Sequence, residues 1–230
     1  MTHEPLQPRA AGALAPESRA LLARVAERPW ARDVYLAGSA ALALYLDHRP
    51  VRDLDLMSAS HRLASSERRD LLADVLSFDP EARVETARDG YLSLATGPGP
   101  LLRLYYYPYP LVDPETEAEG LAVASAVDLG LMKLGAVISR GTKRDFVDLY
   151  LLCRRLPLAT LLERSPEKYG HVRDFPLQAL KGLADRSLTT GEPMPRLSSD
   201  LEWAQVEDWV DTALRDLAPG ASRTAAEGRE

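Results

Sequence analysis

The chain has 230 residues, of which 46% are hydrophobic and 27% are charged, and its formal net charge is -6. This length suits one large domain or two small ones, and the apolar fraction excludes wholesale disorder. The acidic balance argues against a protein that binds nucleic acid non-specifically, but it leaves room for a local basic site.

The sequence gives no sign of secretion or membrane insertion. Cys153 is the single cysteine, which excludes a disulfide framework and a cysteine-based metal site. Apolar runs fall well short of the ~18 residues that span a bilayer, and the polar start lacks a signal-peptide pattern. We therefore expect a cytoplasmic protein with no membrane partner.

The first half of the chain predicts an α/β fold with a mixed sheet. A helix is expected over residues 16–27, then a buried strand that breaks at Gly38 and Ser39 and continues as a helix through Tyr45. The remaining elements are a strand around 54–57, a helix over 68–76 and strands over 82–86, 91–95 and 101–107. The acidic stretch 113–119 is interpreted as a loop at a domain boundary.

The second half predicts a helical domain. Three Ser or Thr residues precede an acidic residue at capping-box spacing: Ser125, Thr142 and Ser199. Helices are expected over 126–140, from 142 through 153, and over 158–168, 177–184 and 200–217. The resulting organisation is a flexible arm over 1–15, an α/β domain over 16–115, a helical domain over 120–218 and a disordered tail over 219–230.

Two aspartates separated by one residue form the first candidate site. In a strand, Asp53 and Asp55 point to the same face. Two carboxylates held close need a cation, and Mg²⁺ commonly binds one or two carboxylates together with substrate phosphates. Two exposed aspartates at the edge of a strand are the simpler alternative.

A glycine–serine turn forms the second candidate site. Gly38 allows a tight strand-to-helix turn, and the helix that follows offers unpaired N–H groups to a phosphate, with Ser39 adding a hydroxyl. An ordinary capped turn is the alternative. The turn precedes Asp53 by 15 residues, and the combination favours phosphoryl or nucleotidyl transfer.

A basic segment forms the third candidate site. Residues 131–155 contain six basic and two acidic residues, a local charge of +4 that suits a triphosphate or an RNA backbone. Lys133 and Arg140 are seven residues apart and share a helix face. The alternatives are that Asp145 only caps a helix, that Asp148 only pairs with Arg144, and that the cations form a solvated surface.

Two segments resemble the AbiEii/AbiGii-type toxin nucleotidyltransferases. The first is YLAGSAALALYLDHR over 35–49 followed by DLDLMS over 53–58, and the second is KLGAVISRGTKRDFVDLY over 133–150. The resemblance covers about residues 30–155. It implies a nucleotidyltransferase fold like that of DNA polymerase β, followed by a helical domain.

The resemblance also implies a function and a set of site residues. It implies NTP as substrate and Mg²⁺ or Mn²⁺ as cofactor. It also implies a role in toxin–antitoxin or phage-defence systems, with a cognate antitoxin as partner. By analogy with relatives that modify the acceptor end of tRNA, it implies transfer of a nucleotide to RNA. The residues matched by position are Gly38 and Ser39 for phosphate, Asp53 and Asp55 for metal, Lys133 for the triphosphate, Asp145 as a further catalytic residue, and Arg49 and Arg140 as phosphate contacts.

Some residues depart from the family pattern. Asp47 stands where Gly is common. The wider superfamily has a third carboxylate on a following strand, but the strand over 101–107 has none and carries Arg103 and three tyrosines, Tyr105 to Tyr107. Glu85 is the nearest strand alternative, so weak or altered metal binding stays open. The sequence also leaves open transfer to a small-molecule or protein hydroxyl, and a non-catalytic member of the fold that only binds a nucleotide or a partner.

Overall fold

The computed structural model describes residues 6–8, 13–97 and 99–217. The chain divides into two compact units, the first ending at Leu129 and the second beginning at Gly130. The predicted tail over 219–230 and most of the predicted arm over 1–15 lie outside the described residues. Within the described ranges, the structure has no helix with the length and apolar character that crossing a membrane requires.

The described residues before Ala126 form helices, a 3-10 helix and the sheet. The helices are α1 (Pro16–Ala26), α2 (Gly38–Leu46) and α3 (Ser65–Phe78), with the 3-10 helix at Pro29–Asp33. The strands are β1 (Tyr35–Ala37), β2 (Leu54–Ser58), β3 (Arg83–Arg88), β4 (Tyr91–Ala95), β5 (Leu101–Tyr106), β6 (Thr116–Ala118) and β7 (Leu121–Val123).

In the described part of the chain these seven strands form one mixed sheet with the order β3-β4-β5-β2-β1-β7-β6. Strand β2 lies in its middle, antiparallel to β1 and parallel to β5. Strand β7 adds to the other side of β1 in parallel. The predicted α/β class with a mixed sheet is therefore confirmed.

Alternation along the central strands separates an apolar face from a polar one. Leu54, Leu56, Leu102 and Leu104 lie on one face and are 0–2% exposed. Residues with the opposite parity, including Asp55 and Arg103, share the other face. Burial of the leucines fixes the register, because a shift by one residue would move them all to the wrong face.

The segment after the acidic residues differs from the prediction. Residues 116–123 were expected as a loop followed by helices, but β6 and β7 form a hairpin that extends the sheet. Leu121 and Val123 are buried at 1% and 0% exposure, and the Tyr45 hydroxyl donates to the Ala124 carbonyl oxygen at 3.0 Å. Two buried side chains in a three-residue strand are too few to give a strand pattern in the sequence.

The remaining helices are α4 (Ala126–Ser139), α5 (Lys143–Cys153), α6 (Leu158–Tyr169), α7 (Phe175–Ala184) and α8 (Trp203–Asp216). The predicted caps at Ser125 and Thr142 are present, since each hydroxyl accepts the N–H of the third residue beyond it. The cap predicted at Ser199 is wrong. Helix α8 starts later, and Gln205 reaches back to the N–H of Glu202 at 2.9 Å.

Candidate functional site

Gly38 and Asp55 are brought together by the pairing of β1 with β2. Ala37 lies opposite Asp55, and α2 begins at the next residue, so the first turn of α2 lies beside this carboxylate. Gly38 has a φ of +61°, and a Cβ placed on it would overlap Asp55 Oδ2. A glycine is required here both by its backbone conformation and by the room that the carboxylate takes.

The start of α2 suits an anion. Ala37 occupies the N-cap position and has no polar side chain to cap the first N–H groups of the helix. The dipole of the helix places partial positive charge at the same end. Ser39 is half-buried in this first turn. The turn therefore has the properties of a phosphate-binding turn next to a carboxylate.

The side chains of Asp53 and Asp55 lie side by side on the polar face of the sheet. Asp53 immediately precedes β2, and its Oδ1 accepts the N–H of Leu101 at 3.1 Å. The two side chains are 38% and 20% exposed. Both carboxylates are thus fixed by the backbone of the central strands and remain accessible from solvent.

Arg103 bridges the two carboxylates. It lies opposite Asp55 in the parallel pair of β2 and β5, with Nη2 2.7 Å from Asp53 Oδ2 and Nη1 3.3 Å from Asp55 Oδ1. Burial acts to lower the pKa of this guanidinium, but the charges of Asp55 and Asp53 outweigh it and raise the pKa. Arg103 therefore stays positively charged between the carboxylates.

Two carboxylates, not three, lie together at this position in the described part of the chain. No cluster of three or more His, Cys, Asp or Glu side chains suited to a metal ion occurs among the described residues. Glu85 is on β3, three strands from β2 or about 14 Å at the usual spacing, and pairs with Arg83 at 3.6 Å. Two carboxylates nevertheless fit Mg²⁺, which completes its shell with water and substrate phosphate oxygens.

The second unit contains a buried cluster of opposite charges. Lys133 on α4 places its Nζ 2.7 Å from Asp148 Oδ2 and 3.4 Å from Asp145 Oδ1. Both aspartates have 0% exposure and Lys133 has 6%. The alternative in which Asp148 only pairs with Arg144 is wrong, because Asp148 forms an ion pair with Lys133.

Arg140 and Thr142 complete the surroundings of Asp145. Arg140 donates from Nε and Nη2 to the two carboxylate oxygens at 2.8 and 2.9 Å, and the Thr142 hydroxyl donates at 2.7 Å. Burial acts to raise the pKa of Asp145, but the hydrogen bonds from Arg140, the charge of Lys133 and the Thr142 hydroxyl lower it to about 2. The cluster therefore keeps Asp145 ionised at neutral pH.

Asp47 and Arg49, which the sequence analysis singled out, follow α2. Asp47 has a φ of 48° at the C-cap of α2, and its N–H donates to the Ala43 carbonyl oxygen at 2.8 Å. The left-handed conformation explains why glycine is common at this position, and Asp is one of the residues that tolerates it. Arg49 follows and is buried, with 7% exposure.

Replacing Gly38 tests the close approach to Asp55. Gly38→Ala and Gly90→Ala should share a left-handed strain of about 1–2 kcal/mol, since Gly90 has a φ of +75°. At Gly90 a new Cβ would lie an ordinary 3.7 Å from Tyr106 Cβ. At Gly38 the overlap with Asp55 should cost about 1–3 kcal/mol more. Urea unfolding of both variants measures the difference, and equal losses would contradict the close approach.

Replacing Asp145 tests its depressed pKa. A carboxylate whose pKa falls from 3.8 to about 2 on folding stabilises the protein above pH 4, and the contribution disappears as the pH falls to about 2. Asp145→Asn should lose about 2 kcal/mol of stability at neutral pH. In urea unfolding, the difference from wild type should shrink between pH 4 and pH 2. The exposed Asp208→Asn is the control, and a pH-independent difference for Asp145→Asn would exclude the assignment.

Comparison with known proteins shows the family of the chain. The family model described as nucleotidyl transferase AbiEii toxin, type IV toxin–antitoxin system, matches residues 19–218. An uncharacterized protein of Aquifex aeolicus (strain VF5) is 31% identical over 210 residues, covering 87% of this chain and 95% of that protein.

Two solved structures are similar at low identity. MenT4, a nucleotidyltransferase toxin of Mycobacterium tuberculosis H37Rv, has a TM-score of 0.53 at 16% identity, covering 92% of this chain and 89% of that chain. JHP933 of Helicobacter pylori has a TM-score of 0.44 at 17% identity, covering 87% and 93%. With the family match over most of its length, the chain belongs to the AbiEii nucleotidyltransferase toxin family of type IV toxin–antitoxin systems.

Proposed function

We propose that this protein transfers a nucleoside monophosphate from an NTP to an RNA acceptor, the 3′ end of tRNA, as the toxin of its system. Membership of the family implies an NTP substrate and an antitoxin partner. The RNA acceptor and the roles of individual residues are our proposal, and so is action in the cytoplasm as part of defence against phage.

The observation that carries the proposal is the contact between the turn at Gly38 and the carboxylate of Asp55. Because a Cβ would overlap Asp55 Oδ2, the first turn of α2 and the aspartate pair form one continuous surface. A phosphate held at the start of α2 would lie beside the two carboxylates. This is the arrangement that a metal-bound nucleoside triphosphate requires.

The first unit would bind the reacting phosphates. The N–H groups at Gly38 and the hydroxyl of Ser39 would bind phosphate oxygens, and Asp53 and Asp55 would hold Mg²⁺ or Mn²⁺. Such an ion, when bound, supplies stabilisation for negative charge that develops on the phosphates. In the reaction a hydroxyl oxygen of the acceptor bonds to the α-phosphorus, and the bond from the α-phosphorus to the α–β bridging oxygen breaks. Pyrophosphate leaves with that oxygen, and the hydroxyl proton is released to solvent.

Lys133, Arg140 and Arg49 are proposed as further phosphate contacts. Lys133 is proposed to contact the triphosphate, and its ammonium group is held by Asp145 and Asp148. Arg140 is anchored on Asp145 through two hydrogen bonds while its side chain is 61% exposed, which suits a phosphate contact. Arg49 is proposed as a further phosphate contact. Asp145 would act in catalysis by orienting these cations.

The test is transfer of label to RNA. Purified protein with Mg²⁺, each α-labelled NTP and total RNA should label a tRNA-sized product. Asp55→Asn should reduce the rate by about a hundredfold or more, because it removes a proposed metal ligand while leaving the side-chain shape. The matched control is Asp89→Asn in the turn between β3 and β4, whose side chain is 94% exposed, and it should label RNA like wild type.

Each other outcome would contradict part of the proposal. Wild-type labelling by Asp55→Asn would exclude the site. Label in a small-molecule or protein fraction would exclude RNA as the acceptor and favour transfer to another hydroxyl. Bound NTP without turnover on any acceptor would identify a non-catalytic member of the fold.

A further inference from the structure

Arg103 occupies the oxygen atoms that a metal ion would use. Asp53 Oδ1 accepts a hydrogen bond from the Leu101 N–H, and Arg103 donates to Asp53 Oδ2 and Asp55 Oδ1. The other oxygen of Asp55, Oδ2, lies against Gly38. A cation that joins both carboxylates would thus meet the guanidinium of Arg103.

The contact also changes the charge of the site. The aspartate pair alone carries a charge of -2, and Arg103 brings the local sum to -1. Attraction for a divalent cation scales with this charge, and it is strong at the short distances and reduced dielectric of a half-buried site. The arginine should therefore weaken metal binding by the nucleotide-free protein.

We propose that Arg103 is a displaceable counterion of the Asp53–Asp55 pair, which competes with the divalent metal for the same carboxylate oxygens. The inference rests on the metal role that the proposed function gives to this pair. In the metal-free protein the guanidinium offsets one of the two negative charges of the carboxylates. A metal ion binds in exchange for the two hydrogen bonds that Arg103 donates.

The structure allows this exchange through movement of one side chain. Strand β5 is fixed by Leu102 and Leu104, which are 0% and 2% exposed, so its backbone can stay in place. The Arg103 side chain is partly accessible to solvent, with 24% of it exposed. Once displaced, it would remain next to the carboxylates as a positive group able to contact a phosphate. Entry of the metal together with a triphosphate is then favoured, because the phosphates supply the negative charge that Arg103 has offset.

The test measures Mn²⁺ binding without NTP or RNA, by the loss of the free-ion signal in electron paramagnetic resonance. Arg103→Gln should bind Mn²⁺ about tenfold more tightly than wild type, because a competing charge is removed. Adding Asp53→Asn to this variant should abolish the gain. Arg83→Gln is the matched control, since it removes the same charge from a side chain on β3 that is 75% exposed, and it should stay close to wild type.

Two results would overturn the proposal. One is an Arg103→Gln variant that binds Mn²⁺ no more tightly than wild type, and the other is a gain that survives Asp53→Asn. If Arg103→Gln is unstable without metal, its unfolding temperature across a Mn²⁺ series answers the same question, and it should rise more steeply than that of wild type. Since no nucleotide is present, these results are independent of whether the protein labels RNA.

Discussion

The central constraint on this protein is the repulsion between two carboxylates on one face of a central strand. Asp53 and Asp55 flank a buried leucine, so the core holds them in place whatever their charge costs. Two neighbouring positive groups offset the repulsion between the carboxylates. Arg103 bridges both carboxylates from the neighbouring strand, and the first turn of α2 presents its positive end at Gly38. The same arrangement makes the site attractive to a metal ion carrying phosphate.

The second unit also contains two carboxylates that need positively charged partners, and here the carboxylates are more completely buried. Asp145 and Asp148 are fully buried, and each would be strongly unfavourable if its partner were removed. Lys133 joins the two, and Arg140 binds Asp145 through a fork of two hydrogen bonds. The low pKa of Asp145 follows from these partners. The alternative of a purely solvated basic surface is therefore wrong for Lys133, which lies in a buried network with Asp145 and Asp148.

Much of the first site could be predicted from local sequence patterns. The pairing between segments that are distant in the sequence could not be predicted. Period-two alternation places Asp53 and Asp55 together, and the glycine–serine turn marks the start of α2. The position of Arg103 opposite Asp55 depends on the register of β2 with β5, which no local signal specifies. The hairpin of β6 and β7 was missed because its strands have three residues each. The cap of α8 was misplaced because Glu202, rather than Ser199, precedes the first turn.

The most direct test of the account is a crystal structure with Mn²⁺ and a non-hydrolysable NTP analogue, in which anomalous scattering locates the metal. We expect a manganese peak bound by Asp53 and Asp55, phosphate oxygens at the start of α2, and the guanidinium of Arg103 withdrawn from the carboxylates. A triphosphate bound elsewhere, or a metal that leaves both aspartates on Arg103, would contradict it.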